Sequence, residues 1–143
     1  TLNHAACNGV SAAIDFIASL GDGKTYKEKL IDAYNNLGKH EFMLASHLYS
    51  ELNKLNKITV IGTDFSSLKR TPTVSFVHNE FTATQICQKL AQKNICAWDG
   101  HFYALKAIQS LGLEERGGVT RLGISAYNSL DEINRTVEAI SKI

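Results

Sequence analysis

Apolar residues recur every three or four positions through roughly the first third of the chain, and this spacing predicts amphipathic helices. The first helix is predicted over 8–20, where glycines follow as a stop signal. A longer second helix is predicted to begin at Thr25, because Thr25 and Glu28 have the spacing of a capping box. Its apolar stripe consists of Leu30, Tyr34, Leu37, Leu44, Leu48, Leu52 and Leu55.

Short β-branched segments and helical segments then alternate to the end of the sequence. Helices are predicted from the Thr82 cap, over 102–111, and over 129–143, where Ser129 and Glu132 have capping-box spacing. The order α, α, β, β, α, β, α, β, α predicts an α+β fold, with a short mixed or antiparallel sheet and helices packed on one face. The predicted strands are 58–61, 73–77, 95–98 and 120–125.

Composition narrows the class of protein. The chain has 143 residues, 44% of them hydrophobic, and a formal net charge of +1, which predicts one soluble globular domain with a substantial core. Basic residues are interleaved with acidic ones, so we expect no nucleic-acid partner and no membrane partner. The chain has no apolar run of spanning length and does not open with a signal-peptide pattern, so a cytoplasmic setting is expected.

The three cysteines, Cys7, Cys87 and Cys96, do not have the spacing of a metal site or a disulfide framework. Each lies in an apolar stretch, where a free thiol behaves as a small hydrophobe. We therefore expect buried thiols and no metal site.

Arg121 is the most informative single residue, because it interrupts a strand that is otherwise apolar. A permanent charge beside a core costs several kcal/mol unless it meets an anion. The planar guanidinium fork suits a carboxylate, to which it can donate two parallel hydrogen bonds. That carboxylate could belong to the protein, as a structural ion pair, or to a ligand.

Four segments of the chain carry a family resemblance. They are TLNH at 1–4, RTPTVSF at 70–76, WDGHFYA at 98–104, and the Arg121 strand with its following turn and capped helix. In order and spacing they resemble class V aminotransferases, in particular the cysteine desulfurase-like branch of enzymes that depend on pyridoxal phosphate (PLP). The resemblance covers nearly the whole chain and implies the small C-terminal domain of fold-type I PLP enzymes.

The resemblance also implies how the chain is organised. It implies one domain over 1–143, in which 1–22 is a helix leading in from a large domain that is missing here, and 23–143 is the small domain. The large domain would carry the lysine that binds PLP, so the chain would be a fragment of a longer homodimeric parent that acts on an amino acid. The isolated fragment is then expected to be inactive.

Roles for individual residues follow from the same resemblance. Arg121 would bind the substrate carboxylate, with Gly100 and His101 beside the substrate. Thr1 and Asn3 would contact PLP, although such residues are also ordinary turn and cap residues. Arg70 and Pro72 match the family's strand entry, for which we favour a structural role in a polar loop that leads into an edge strand.

At two positions the sequence departs from the family pattern, and both positions bear on which reaction is expected. Tyr103 stands where desulfurases carry the cysteine that takes up sulfur, and a phenol cannot take that role. Trp98 stands where they usually keep a second arginine. Desulfuration, β-elimination by a lyase, and transamination therefore all stay open. The alternative from another class is a stand-alone α+β binding module without catalysis.

Overall fold

A computed structural model describes residues 2–66 and 70–143. The chain divides into two compact units, of which the first ends at His40 and the second comprises Glu41–Ile143. The predicted order of helices and strands is confirmed. The elements are α1 (His4–Ser19), α2 (Tyr26–Leu52), β1 (Ile58–Ile61), β2 (Thr73–His78), α3 (Ala83–Ala91), β3 (Trp98–Gly100), α4 (Leu105–Ser110), β4 (Val119–Gly123) and α5 (Leu130–Ser141).

The first unit contains α1 and the first half of α2. The predicted capping box of α2 is confirmed, since the Thr25 hydroxyl accepts from the Glu28 N–H at 3.3 Å and Glu28 Oε2 accepts from the Thr25 N–H at 3.1 Å. Gly21 makes the connection between the helices possible, because a Cβ there would lie 2.1 Å from the Lys29 carbonyl oxygen. Ala18 is the buried residue of α1.

The sheet of the second unit is antiparallel throughout, with strand order β1-β2-β4-β3. The antiparallel form of the predicted sheet is thereby confirmed, and β2 and β4 are its interior strands. Pro72 precedes an interior strand rather than the edge strand that we predicted. This position is compatible with a residue that lacks an N–H, because Pro72 contributes its carbonyl, which accepts from the Ile124 N–H at 3.0 Å.

One face of the sheet is covered by helices and forms the main core. Its strand residues are Val74, Phe76 and Leu122, and the helix residues that pack on them are Leu44, Leu48, Leu52, Ile86, Leu90, Ile133, Ala139 and Ile140. Alternation along a strand directs neighbouring residues to the opposite face. We call the first face the covered face and the opposite face the open face.

Helix α4 is an exception to the prediction that the helices pack on one face. Its Ile108 forms a second, smaller cluster with Leu113 and Val119, against which Ile61, Val77 and Phe102 pack. Register and alternation assign Val119, Val77 and Ile61 to the open face. The open face is therefore partly covered at the α4 end.

Several predicted boundaries were wrong. The helix predicted over 8–20 begins at His4, because Asn3 caps it. The strand predicted at 95–98 begins at Trp98, because Asn94 adopts a left-handed φ of 56° and the Ile95 N–H bonds the Leu90 carbonyl to end α3. The helix predicted from 102 begins at Leu105, because the two residues after His101 also have positive φ.

The prediction of buried thiols was also wrong for two cysteines. Cys7 and Cys96 are exposed and Cys87 is partly buried, and all three are free. Helix α1 buries little of its surface, and Ile95 takes the inward position next to Cys96.

The α+β fold class is confirmed, with five helices and a four-stranded antiparallel sheet. The predicted division into a lead-in helix over 1–22 and a small domain over 23–143 stays a prediction. Within the described residues, no helix combines the length and the apolar character needed to cross a membrane.

Candidate functional site

Arg121 lies in the middle of the open face. Along β4 the side chains of Thr120 and Leu122 are buried, whereas Arg121 between them is exposed. Its direct neighbours across the sheet are Ser75 in β2 and Trp98 in β3, which pair with it in register. The strand therefore keeps its apolar side chains in the core and presents the guanidinium outward.

This placement corrects the energetic argument made from sequence. The apolar neighbours of Arg121 suggested a charge next to the core, but alternation places that charge on the other side of the sheet. Among the described residues, the three ion pairs are Lys54–Glu51, Lys57–Glu80 and Lys142–Glu138, and no hydrogen bond engages the Arg121 guanidinium. The alternative of a structural ion pair within the described chain is therefore not observed.

The guanidinium does have one close contact. Its Cζ lies 3.9 Å from the centroid of the Phe102 ring, which is the geometry of a cation–π contact. Phe102 is partly buried against the Ile108, Leu113 and Val119 cluster. Phe102 thus packs against the α4 end of the open face and contacts Arg121.

The segment after β3 has an unusual backbone. Gly100 has a φ of 127°, and Phe102 and Tyr103 have φ values of 50° and 60°. Positive φ is uncommon for residues that carry a Cβ, and bulky side chains adopt it only where the surroundings impose it. The segment is closed by the Tyr103 N–H, which donates to His101 Nδ1 at 3.2 Å, and by the Ala104 N–H, which donates to the His101 carbonyl at 2.7 Å.

Gly118, which directly precedes the neighbouring strand β4, packs against this backbone. It has a φ of 83°, and a Cβ at this position would lie 2.3 Å from the Gly100 carbonyl oxygen. No real Cβ approaches a backbone oxygen so closely, so only glycine allows β4 and the Gly100 turn to meet in this way.

Residues 98–103 and Arg121 line an open pocket of about 470 Å³. Its lining includes the predicted substrate-site residues Gly100, His101 and Arg121, together with Tyr103 and Trp98. Tyr103 is fully exposed, and Trp98 is 71% exposed. The structure therefore brings the predicted substrate-site residues of the second unit to one pocket and stacks the cation on the Phe102 ring.

No cysteine lines this pocket. Cys87 lies toward the covered face, where burial, and after it the nearby Asp99 carboxylate, raise the pKa of its thiol to about 11. Such a thiol is almost entirely protonated near neutral pH, and the thiolate is the nucleophilic form. Cys96 lines a separate pocket at the start of α5.

The remaining predicted residues lie elsewhere. Thr1 is outside the described residues. Asn3 caps α1, where its Oδ1 accepts the Ala6 N–H at 3.1 Å. Arg70 has a structural role, as expected, because it donates to the Thr73 carbonyl at 2.8 Å and stacks on the Phe65 ring at 4.0 Å. Over the part of the chain that the structure describes, no group of three or more His, Cys, Asp or Glu residues could hold a metal ion.

Phe102 and Gly118 are the residues of this site that sequence reasoning missed. Phe102 was assigned to a helix that begins three residues later. The Gly117–Gly118 pair directly before an apolar strand was the available signal for Gly118, since a doubled glycine indicates special backbone angles or close backbone approach. We find no sequence signal that predicts the contact between Phe102 and Arg121.

Comparison with known proteins identifies relatives of the chain. A probable cysteine desulfurase of Methanothermobacter thermautotrophicus is 26% identical over 144 residues, which covers 100% of this chain and 32% of that protein. The chain spans about a third of the length of the curated relatives it matches.

Two solved structures have the same fold. The apo cysteine desulfurase of Thermococcus onnurineus matches with a TM-score of 0.71 and 21% identity, covering 82% of this chain and 28% of that one. A cysteine desulfurase of Escherichia coli matches with a TM-score of 0.66 and 17% identity, covering 85% of this chain and 31% of that one. The sequence profile of the family described as "Aminotransferase class-V" matches residues 1–136. A match over nearly the whole length means that this chain belongs to the class-V aminotransferase family.

Proposed function

We propose that this chain is the C-terminal part of a PLP-dependent, cysteine desulfurase-like enzyme that acts on an amino acid, and that Arg121 binds the α-carboxylate of the substrate. The observation that carries the proposal is the exposed guanidinium, which faces an open pocket and has no carboxylate partner among the described residues. The pocket also contains the predicted substrate-site residues Gly100 and His101.

The chemistry of the guanidinium supports a carboxylate ligand. Its five N–H donors lie in one plane, and a carboxylate can accept two of them in parallel. No acidic side chain of the described chain forms an ion pair with Arg121, so an incoming carboxylate would not have to displace one. Trp98, the cross-strand neighbour of Arg121, contributes an apolar wall instead of a second cation.

The residues of this chain fit the substrate part of a PLP site rather than its cofactor part. The pocket contains no lysine, so the lysine that binds PLP is expected to lie in a large domain of the same longer chain. PLP, when bound, withdraws electrons from the substrate Cα. Thr1 and Asn3 stay predictions as PLP contacts. Asn3 Oδ1 is occupied in capping, so an anionic group would be met by its Nδ2 amide.

His101 has one defined hydrogen-bonding state when neutral. Its Nδ1 accepts the Tyr103 N–H, so the ring proton resides on Nε2. His101 is exposed at the pocket and can donate this Nε2 proton to a bound substrate. We propose that His101 orients the substrate next to Arg121.

We favour a reaction in which no sulfur is transferred to a cysteine of this pocket. Tyr103 is fully exposed at the position where desulfurases carry their cysteine, and no other thiol lines the pocket. A phenol cannot take up sulfur as a persulfide. We therefore favour β-elimination or transamination over conventional desulfuration, while the homodimer and the cytoplasmic setting stay predictions.

The proposal is tested by replacing Arg121 in the longer polypeptide that carries this chain. Arg121→Ala should lower kcat/KM for amino acids by about 2–4 kcal/mol, or roughly 30- to 1,000-fold, since a charged hydrogen-bonded partner is lost. Arg121→Lys is the matched control, because it keeps the charge but not the planar fork. Alanine, sulfide and keto-acid products should be followed separately to identify the branch. An unchanged kcat/KM in Arg121→Ala would refute the role of Arg121.

The isolated chain should be inactive and should form no stable, site-specific aldimine band when mixed with PLP. A stoichiometric band together with turnover of amino acids would contradict the proposal. The alternative of a stand-alone binding module predicts a native start codon immediately before Thr1. An upstream reading frame that encodes a lysine-bearing domain would favour the enzyme.

A further inference from the structure

We propose that Phe102 is a positioning residue for Arg121: its ring holds the guanidinium plane so that the N–H edge is presented to an incoming carboxylate. The contact itself is given by the structure, and its consequence for substrate binding rests on the proposed function. Phe102 lies within the WDGHFYA segment that carries the family resemblance, but the resemblance assigned it no role of its own.

Stacking and hydrogen bonding use different parts of the guanidinium. The Arg121 Cζ lies 3.9 Å from the centroid of the Phe102 ring, so the ring covers one face of the cation. The N–H donors point outward in the guanidinium plane and are not consumed by a contact on the face. An anion is therefore directed to the edge, where a carboxylate can accept two hydrogen bonds.

Phe102 is itself held in place by the surrounding structure. Its ring packs against the Ile108, Leu113 and Val119 cluster, which occupies the α4 end of the open face. Its backbone has a φ of 50°, and Tyr103 follows with 60°. Two consecutive non-glycine residues in this region need support from the surrounding structure. Arg121 therefore stacks on a ring whose position is fixed by packing, whereas the side chain of Tyr103 is fully exposed.

Stacking on Phe102 lowers the conformational entropy that Arg121 loses when it binds an anion. A long arginine side chain on an open sheet surface loses rotamer freedom when it binds an anion, and this loss weakens binding. An arginine already stacked on a fixed ring has lost part of that freedom before the ligand arrives. From the usual strength of cation–π contacts, we expect the ring to tighten carboxylate binding by about 2- to 10-fold.

Nuclear magnetic resonance of the Arg121 Nε–Hε group tests the contact directly in the full 143-residue chain. Protons above an aromatic face are shifted upfield, so the wild-type signal should be shifted and should have a high order parameter. Phe102→Leu should move the signal to an ordinary position and lower the order parameter, and Phe102→Tyr should retain both features. Tyr103→Leu is the matched control, because it removes an aromatic ring at the next left-handed position and should leave the Arg121 signal unchanged.

A substitution that unfolds the chain would obscure this comparison, so circular dichroism should accompany each variant. Pentafluorophenylalanine at position 102 provides a second variant, since it keeps the shape of the ring and reverses the charge distribution on its face. It should also lower the Arg121 order parameter. An unchanged order parameter in both the leucine variant and the fluorinated variant would overturn the proposal.

Kinetics of the longer polypeptide separate this proposal from the proposed function. Phe102→Leu should raise KM for the amino acid about 2- to 10-fold and change kcat by less than about 2-fold, and Phe102→Tyr should restore KM. If Arg121→Ala raises KM while Phe102→Leu does not, the positioning role is refuted and the proposed function stands. If Arg121→Ala changes nothing, the proposed function fails, and the magnetic resonance result alone decides whether Phe102 holds Arg121.

Discussion

The two faces of the antiparallel sheet differ in what their side chains contact. On the covered face, Phe76 and Leu122 are packed beneath α2, α3 and α5 and are 0% and 6% exposed. On the open face, Trp98 and Arg121 are exposed and line a pocket. Leu122 and Arg121 are neighbours in the same strand, so a single residue step separates a core position from a candidate binding position.

This arrangement means that stability and binding can be altered separately along β4. Burial of apolar area is the main source of folding free energy, and it is concentrated on the covered face. The open face contributes a cation that stacks on Phe102 and forms no ion pair with the described residues, and a backbone that only glycine permits at Gly118. Substitutions on the covered face should therefore lower the free energy of unfolding more than substitutions of exposed side chains on the open face.

Leu122→Ala should lower the free energy of unfolding by about 2–5 kcal/mol, because it removes a buried side chain and leaves a cavity. Arg121→Ala, one residue away, should cost less than about 1 kcal/mol, since the side chain is exposed and loses only its contact with Phe102. Urea unfolding of both variants measures the difference. Equal losses of stability would show that the two faces are not energetically distinct.

Gly118→Ala should lower the unfolding free energy by about 1–3 kcal/mol, because alanine resists the positive φ and its Cβ would meet the Gly100 carbonyl oxygen. Gly123→Ala is the control at the other end of β4, since a Cβ there has nothing within 4 Å and φ is not positive. We expect the control to be neutral or slightly stabilising. Thermal unfolding compares the two, and a harmless Gly118→Ala would contradict the close approach of β4 to the Gly100 turn.

The two faces also differ in how well the sequence predicted them. The covered face follows local rules: the apolar periodicity predicted α2, α3 and α5, and the Thr82 and Ser129 capping boxes are present as expected. Arg121 was assigned to the correct strand, but its exposure depends on which face the helices cover, and that is set by tertiary packing. The contact of Phe102 with Arg121 depends on two left-handed residues, a conformation that aromatic side chains do not favour by themselves.

Ser129→Ala should cost about 1 kcal/mol, because the Ser129 hydroxyl caps α5, the helix that supplies Ile133 and Ile140 to the covered face. The hydroxyl accepts the Glu132 N–H at 3.3 Å, and Glu132 Oε2 accepts the Ser129 N–H at 2.8 Å. Ser141→Ala is the control on the same helix, since its hydroxyl donates to the Glu138 carbonyl near the other end. If both variants unfolded at the same urea concentration, the capping box would not be stabilising α5.

The smallest expected effect on the free energy of unfolding comes from protonation of His78. Among the residues that the structure describes, His78 is the buried ionisable side chain. Burial lowers its pKa, and the positive charges of Lys57, Lys89 and Arg116 act in the same direction, whereas Glu80 opposes them. Its Nδ1 accepts the Glu80 N–H at 3.0 Å, so protonation of Nδ1 would remove that acceptor. The covered face therefore favours the neutral imidazole.

The sign of the pH dependence follows from this preference. The unfolded chain takes up a proton on His78 near the reference pKa of about 6.5, before the folded chain does. Unfolding free energy should therefore fall as the pH drops below about 6.5, and it should level off below the lowered folded pKa. His78→Asn is the matched control, because its Oδ1 can accept the same N–H without titrating. Melting temperatures between pH 7.5 and 5 should decline more steeply for wild type than for this variant, and parallel slopes would mean that the covered face tolerates the charged imidazole.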